Sequence, residues 1–453
     1  MIKNMILTAT LLLAFLIAGL FIFAALQSVF EKEKRAAKKF LWLAIGLFIP
    51  FFIAAYAGFT LMGAIFSTLL ILMIIIIFLP VSNPPVFNNM VPNSRFDERD
   101  TMFARNDLVP GSENFKDYYN LRPENLEPDN QFRSLPGLLS SQARYFHPAG
   151  FASAGAVFTA TAHLKPLIQG KPSGQTYNIS ADDLTGYIKR WSKKLGAEDC
   201  GITELKDYHV YSHKGRGRSY GKKIEIKHKY AIAFTVEMDK AMINGGPAAS
   251  TVMESARQYF NSGAIAVQTA EFLRLMGHDA SAHIDANYEV ICPLVARDAG
   301  LGEIGRMGIL MTPKLGPRVR ISVVTTDAPL ISDEPKADFS VIDFCRRCQK
   351  CAAVCPARAI PYHDPEITDG VLRWQINSEA CYTFWCQAGT DCSRCMSVCP
   401  YSHSDNLMHN FVRGAIKRSG LFRKLAVKLD DYIYGIKPYP KPLPEWMKIT
   451  GNF

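Results

Sequence analysis

The sequence predicts a chain in three parts: an N-terminal anchor of three membrane-spanning helices, a central α/β domain and a small cysteine-dense domain. Three observations carry that prediction. Apart from Lys3, the first eighty residues hold their charge in one short loop. Residues 146–330 alternate helical and strand signals. All eleven cysteines except Cys200 and Cys292 fall between Cys345 and Cys399.

The anchor occupies residues 1–80. Residues 5–30 (MILTATLLLAFLIAGLFIFAALQSVF) are uncharged and long enough to cross a hydrocarbon core of about 30 Å. Their apolar run exceeds that of a cleaved signal peptide and is followed by more membrane segments. Residues 40–80 are also uncharged; as one helix they would reach about 60 Å, so they are two spans with a turn in AYAGFT near Tyr56 to Thr60. Between the first and second spans lies EKEKRAAKKF, with Lys32, Lys34, Arg35, Lys38 and Lys39. The positive-inside rule places that loop in the cytoplasm, and three spans then put everything after residue 80 on the same side of the inner membrane. No twin-arginine signal precedes the first span, which agrees with a cytoplasmic catalytic region. The net charge of +10 comes without any aromatic-interleaved nucleic-acid motif. The excess suits an anionic inner leaflet, and no nucleic-acid partner is expected.

Residues 81–145, rich in Pro, Asn and charge, read as an extended linker or wrapping arm with aromatic anchors at Phe96, Phe103 and Tyr118. In residues 146–330, Ser180 caps a helix carrying Leu184, Ile188, Trp191 and Leu195 at helical spacing. YAIAFTVEM and VRISVVTTD read as strands, and ESARQYFNSGAIAVQTAEFLRLMGHDA reads as a long helix ending at Gly277. Residues 331–410 form the cysteine-dense domain, and 411–453 a C-terminal helix with a proline-rich tail.

In FCRRCQKCAAVCPARAI, Cys345, Cys348, Cys351 and Cys355 are spaced C-x2-C-x2-C-x3-C and followed by Pro356, the bacterial ferredoxin run for a [4Fe-4S] cluster. In that run the fourth cysteine ligates a second cluster. The partner run is present: Cys392, Cys395 and Cys399 repeat the C-x2-C-x3-C-P ending, with Cys381 and Cys386 upstream. One cluster then takes Cys345, Cys348, Cys351 and Cys399, and the other Cys355, Cys392, Cys395 and either Cys381 or Cys386. Zinc sites pair C-x2-C knuckles across a gap without such a run, and disulfide frameworks belong to short secreted chains. Cys200 and Cys292 read as buried structural thiols. The run AGLGEIGRMGIL contains G-x-G-x-x-G at Gly300, Gly302 and Gly305, but no strand precedes it as a dinucleotide fingerprint requires.

Taken together, AGLGEIGRMGILMTPKLGPRVRISVVTTDAPL, the ferredoxin run and the second run ending in CPYSH resemble the reductive dehalogenases over residues 150–410. The resemblance implies a nitroreductase-like α+β domain holding a base-off corrinoid (cobalamin), with a ferredoxin-like two-[4Fe-4S] domain feeding electrons to its cobalt. It implies that Gly300, Gly302, Gly305, Arg306 and Gly308 bind the cofactor and that Cys381 is the remaining cluster ligand, leaving Cys386 surplus. DYHVYS at 207–212 lacks the glycine of the D-x-H-x-x-G signature, as a cobalt without a histidine ligand requires. By position, Tyr259 is the proton donor, assisted by Asn287 and Arg320, with Arg320 stabilising the tyrosinate; Tyr288 is the nearest decoy.

The implied activity is replacement of halogen by hydrogen on an organohalide, a membrane-bound oxidoreductase reaction. Respiratory members of the family resemble exported proteins docked to a separate three-span anchor, whereas here three spans are fused at the front. Glu31 and Glu33 resemble an E-x-E element of that anchor's loop. The donor expected is menaquinol or a reduced ferredoxin or flavodoxin. Two other readings compete: a corrinoid reductase of the epoxyqueuosine reductase type, disfavoured by the spans, and an electron-transferring membrane iron–sulfur subunit without corrinoid.

Overall fold

The structure is a computed structural model and describes residues 2–79, 91–285, 287–334 and 338–449; residues 81–90 of the expected arm lie outside the described residues. The chain divides into two compact units. The first comprises Met1–Pro85, Phe339–Cys348 and His403–Pro438, and the second Val86–Asp338, Gln349–Ser402 and Tyr439–Phe453.

In the first unit three helices, Ile2–Phe30, Lys34–Tyr56 and Thr60–Phe78, have mean hydropathies of 2.7, 1.9 and 2.9 and the length to cross a membrane. Gly58, at φ +73°, makes the tight turn between the second and third. Small residues line the contact faces, with Ala14, Ala18 and Ala24 on the first helix and Ala36, Ala44 and Ala54 on the second. Such residues let helix backbones approach closely in lipid. Helices Leu407–Arg418 and Gly420–Tyr434 belong to the same unit. Glu31 lies here in a polar cluster: Asn406 Nδ2 donates to Glu31 Oε1 at 2.7 Å, and His409 Nε2 is 3.3 Å from the same oxygen. The His403 ring stacks on that of His409 at 4.7 Å and pairs with Asp430 at 2.9 Å.

The second unit is built on a sheet of β1 (Asp199–Glu204), β2 (Tyr230–Glu237), β3 (Ala280–His283) and β6 (Val319–Thr326), in the order β1-β2-β6-β3. A hairpin of β4 (Glu303–Ile304) and β5 (Leu310–Met311) stands apart. Every pairing in the four-stranded sheet is antiparallel, so the domain is α+β, with no parallel βαβ unit among the described residues. The apolar run of β2 is explained by burial on both faces. Ile232 and Phe234 join Ile265, Ala266, Ala270 and Leu273 of the long helix Ala249–Leu275, while Ala231 and Ala233 face Val295, Ala296 and Leu301. Each fully buried large aliphatic or aromatic side chain contributes about 1.5–3 kcal/mol. The long helix stops where the sequence indicated. Gly277 adopts φ +91°, its amide bonds to Arg274 O, and the His278 amide returns to Leu273 O, a glycine-dependent helix stop.

Residues 91–145 are not extended. They fold into short helices, Met102–Asn106, Glu113–Leu121 and Leu126–Arg133, the first two capped by Thr101 and Ser112. Buried Asp129 fixes this segment: Arg105 binds it at 2.5 Å and Tyr119 Oη donates to it at 2.7 Å. The high polarity that made the stretch look like a linker is thus partly an internal network. Removing one partner of a buried ion pair strands the other charge. Asp129→Ala is therefore expected to destabilise by about 3–5 kcal/mol, well beyond the roughly 1 kcal/mol of removing the Ser180 cap, whose hydroxyl accepts from the Asp183 amide at 3.1 Å. Thermal unfolding of Asp129→Ala and Ser180→Ala in one detergent checks the order.

Candidate active site

The long helix Ala249–Leu275 presents Thr251, Ser255 and Tyr259 at intervals of four, hence on one face. Each meets a different part of the site. Thr251 Oγ1 lies 3.1 Å from Ser393 Oγ in the second cysteine run. The Ser255 hydroxyl donates to Asp391 Oδ2. Tyr259 lies under the Arg320 guanidinium, 4.9 Å from the ring centroid. Alternation along β6 turns Arg320 and Ser322 toward this helix, and Ser322 Oγ reaches Ser262 Oγ at 2.9 Å. Arg320 Nη2 donates to Ser255 Oγ at 2.6 Å and to Asp391 Oδ2 at 3.3 Å. Its Nε is buried without a hydrogen-bond partner among the described residues. Gly246 completes the approach: a Cβ there would sit 2.3 Å from Cys392 O.

Tyr259 and Arg320 open onto a cavity of about 270 Å³, walled also by Phe103, Tyr211, Asp285 and Tyr288. Arg320 draws the Tyr259 pKa down, but burial and the carboxylates of Asp285 and Asp391 outweigh it, and the net direction is upward. The phenol is held protonated, not primed as tyrosinate. Burial raises the Asp285 carboxyl against the opposing pull of Arg216 and Arg320. Burial likewise raises Tyr288, which lies under Arg216 at 4.9 Å. His283 lines the cavity with both ring nitrogens engaged: Nδ1 accepts from the Glu289 amide at 3.1 Å and Nε2 meets Thr325 Oγ1 at 2.9 Å. Burial brings its pKa down to about 3.

Cys355, Cys381, Cys392 and Cys395 converge closely enough in the second unit to feel one another's charge. Burial first, then these neighbours, pushes Cys381 up to about 11, while burial pushes Cys392 up to about 12. Such thiols become thiolates only when a metal centre supplies compensating charge. No three of the four close around a single ion, as Zn–S bonds of about 2.3 Å require, whereas a cubane spreads its thiolates over four irons. Cys386 is elsewhere, buried with Phe132 and Tyr382. Of the other run, Cys351 and Cys399 belong to the second unit and Cys345 and Cys348 to the first.

Residues 344–403 match the 4Fe-4S dicluster domain. A tetrachloroethene reductive dehalogenase of Desulfitobacterium hafniense is 34% identical over 234 residues, covering 49% of this chain and 42% of the relative. One of Sulfurospirillum multivorans is 29% identical over 292 residues, 56% of this chain and 58% of the relative. The solved structure of the catabolic reductive dehalogenase NpRdhA with 3-bromo-4-hydroxybenzoic acid has a TM-score of 0.62 at 25% identity, covering 79% of this chain and 50% of that one. This chain is a relative of the reductive dehalogenases. It spans about half the length of the Desulfitobacterium and Sulfurospirillum relatives.

For a reductive dehalogenase relative, the structure groups the sequence-derived residues unevenly. Tyr259 and Arg320 share the cavity. Asn287 accepts from Lys214 Nζ at 3.0 Å, and its amide bonds to Ile284 O; the polar residue of that loop on the cavity wall is Asp285. Sequence reasoning passed over Asp285, although DAN offers an acid two positions before the asparagine. The glycine-rich stretch is the β4–β5 hairpin. Gly300 ends the helix Cys292–Asp298 at φ +76°, Gly302 lies so close to Met311 O that a Cβ would stand 2.3 Å away, and Gly308 turns at φ +73°. Arg306 donates to Pro361 O at 2.7 Å and His363 O at 2.9 Å and lies over Trp374, so it braces the hairpin whose Ile309 and Leu310 line the cavity. Cys386→Ala is expected to keep the full iron content of this dehalogenase relative, and Cys381→Ala to lose the iron of one cluster. Iron and acid-labile sulfide per chain check both.

Proposed function

We propose that this chain is a membrane-anchored reductive dehalogenase that replaces halogen by hydrogen on a compact organohalide, using a corrinoid and two [4Fe-4S] clusters. The observation that carries the reading is the direct tie, through Asp391 and Ser255, between the loop of Cys392 and the Arg320–Tyr259 pair on the cavity wall. The donor set fits the cofactors. Four half-buried thiols converge for a cluster, and the one histidine among the described residues lining the cavity has no ring nitrogen left for cobalt. The family resemblance assigns the corrinoid to the hairpin of Gly300, Gly302, Gly305, Arg306 and Gly308; there Arg306 would act by bracing the backbone from within, and Ile309 and Leu310 with the apolar wall would face the group. When bound, the corrinoid supplies the reduced cobalt that breaks the carbon–halogen bond.

The chain's own residues supply binding and the proton. The overall change is R–X + 2e⁻ + H⁺ → R–H + X⁻. Tyr259, a neutral phenol at rest, gives its proton to carbon as negative charge develops there, which is general acid catalysis. Arg320 stays over the ring and balances the phenolate left behind. Asn287 lies between the wall residues Asp285 and Tyr288 and assists by holding Lys214 and the shape of that loop. The aromatic and aliphatic lining excludes water from a halogenated hydrocarbon.

The basic loop 32–39 supports a catalytic region on the cytoplasmic side of the membrane, by the positive-inside rule. The donor we propose is a membrane hydroquinone such as menaquinol. Its oxidation releases two electrons and two protons, and Glu31, His403, His409 and Asp430 gather two carboxylates and two imidazoles in one polar cluster of the first unit. A soluble ferredoxin or flavodoxin would not need it.

The test is halide release by the anaerobically loaded enzyme with brominated and chlorinated substrates and a reduced low-potential dye. One halide and one dehalogenated product should appear per two electrons. Tyr259→Phe should cut kcat by about 10² or more while cobalt and iron content hold. A loaded wild type that releases no halide across the panel overturns the reading. Separately, Glu31→Gln and His409→Asn should lower the hydroquinone-driven rate and leave the dye-driven rate unchanged; equal loss in both assays would remove the proposed donor site.

A further inference from the structure

Asp285 lies in the loop after β3, its side chain on the cavity wall with Tyr259, Tyr288 and Arg320. Two guanidinium groups face it, Arg216 and Arg320. A carboxylate present only to balance them would be bound to one or the other. Glu98 already takes Arg216 at 3.4 Å, and Asp391 takes Arg320 at 3.3 Å. Asp285, half-buried on that wall, is left with no hydrogen bond or ion pair among the described residues, so no partner holds its charged form against partial burial.

Resting on the dehalogenase reading, we propose that Asp285 is the proton reservoir of the cavity: after Tyr259 has protonated carbon, the Asp285 carboxylic acid returns a proton to the phenolate through a water in the cavity. The step is Tyr259–O⁻ + Asp285–COOH → Tyr259–OH + Asp285–COO⁻. The carboxylic O–H bond breaks, the phenolic O–H bond forms, and no electrons move. Asp285 then regains a proton from solvent. Asp285 thus acts through Tyr259, not on the substrate.

The direction of transfer follows from acidity. Tyr259 is held above the ordinary phenol range and Asp285 is a carboxyl, so the phenolate is the stronger base by several orders of magnitude. A new negative charge on Tyr259 also raises the proton affinity of the neighbouring carboxyl, and the two groups titrate as a coupled pair. The groups facing Asp285 from the packed elements are Arg216, Arg320 of β6, Tyr259 of the long helix and Tyr288 of its own loop. The Cys292 thiol of the helix Cys292–Asp298 also lines the cavity beside Asp285, and burial pushes it up to about 12, so it keeps its proton. The arginines stay charged, leaving the carboxyl and the phenols as the groups that exchange protons.

The test compares Asp285→Asn with wild type in the loaded, fully reduced enzyme. A reservoir is not needed for the first proton. The variant should therefore complete its first turnover at the wild-type rate and slow by about 10² in later ones, with KM unchanged and Asp285→Glu restoring much of the rate. Wild-type kcat should fall as pH rises through the carboxyl's titration, because the protonated form is required, and the variant should lack that limb. A first turnover slowed as much as later ones, or unchanged steady-state turnover, overturns the proposal. Infrared difference spectroscopy of the corrinoid-free protein gives an independent readout. A protonated carboxyl band should be present in wild type and absent in Asp285→Asn; its absence in wild type overturns the proposal. Should the variant lose its iron, the band in Asp285→Glu decides, a shifted band supporting the reservoir and an unmoved one excluding it. Failure of the dehalogenase reading looks different, as loaded wild type with no halide release, and it would remove this proposal too.

Discussion

The site depends on the junction of Arg320, Asp391 and Ser255. Asp391 immediately precedes Cys392, Arg320 extends from β6, and Ser255 lies one helical turn before Tyr259. One carboxylate thus joins three segments far apart in sequence and fixes the guanidinium over the phenol. Inside the protein such a contact is costly to break, because removal of either partner strands a charge away from water. The fold meets that constraint by packing β6 under the long helix, so that Arg320 and Ser322 reach the helix face.

The same junction sets the electrostatics of the cavity. Asp391 diverts part of the Arg320 field, so the cation does not drag Tyr259 into the tyrosinate form; burial opposes it. In the proposed reaction, a phenol that keeps its proton until charge develops on the substrate avoids wasting it on water. The cluster loop and the acid site are therefore one mechanical assembly, and a shift in the position of one is felt by the other.

The sequence made some of this legible and hid the rest for physical reasons. Cysteine spacing is set by ligand geometry, so the two runs could be read directly, whereas the choice of Cys381 over Cys386 came from the family resemblance; in the structure Cys386 is buried beside Phe132 and Tyr382. Long apolar helices and the Gly277 stop have local causes and were readable. The polar arm was misleading because its charges Arg105 and Asp129 satisfy one another, with Glu379 of the helix Ser378–Ala388 as a second partner of Arg105. The glycine-rich stretch mimicked a nucleotide loop because a tight hairpin makes the same demand for positive φ and close backbone approach. Asn287 and Asp285 could not be ranked from sequence, because a loop does not reveal which of two neighbouring side chains faces a cavity until its backbone is placed.

The central claim, a corrinoid and two clusters on one chain, is tested most directly by metal content. After anaerobic purification in detergent with corrinoid supplied, cobalt, iron and acid-labile sulfide are measured per chain. The account predicts about one cobalt, about eight irons and about eight sulfides. Full iron with no cobalt, after loading under conditions that fill a known corrinoid enzyme, would contradict it and leave an electron-transferring membrane protein.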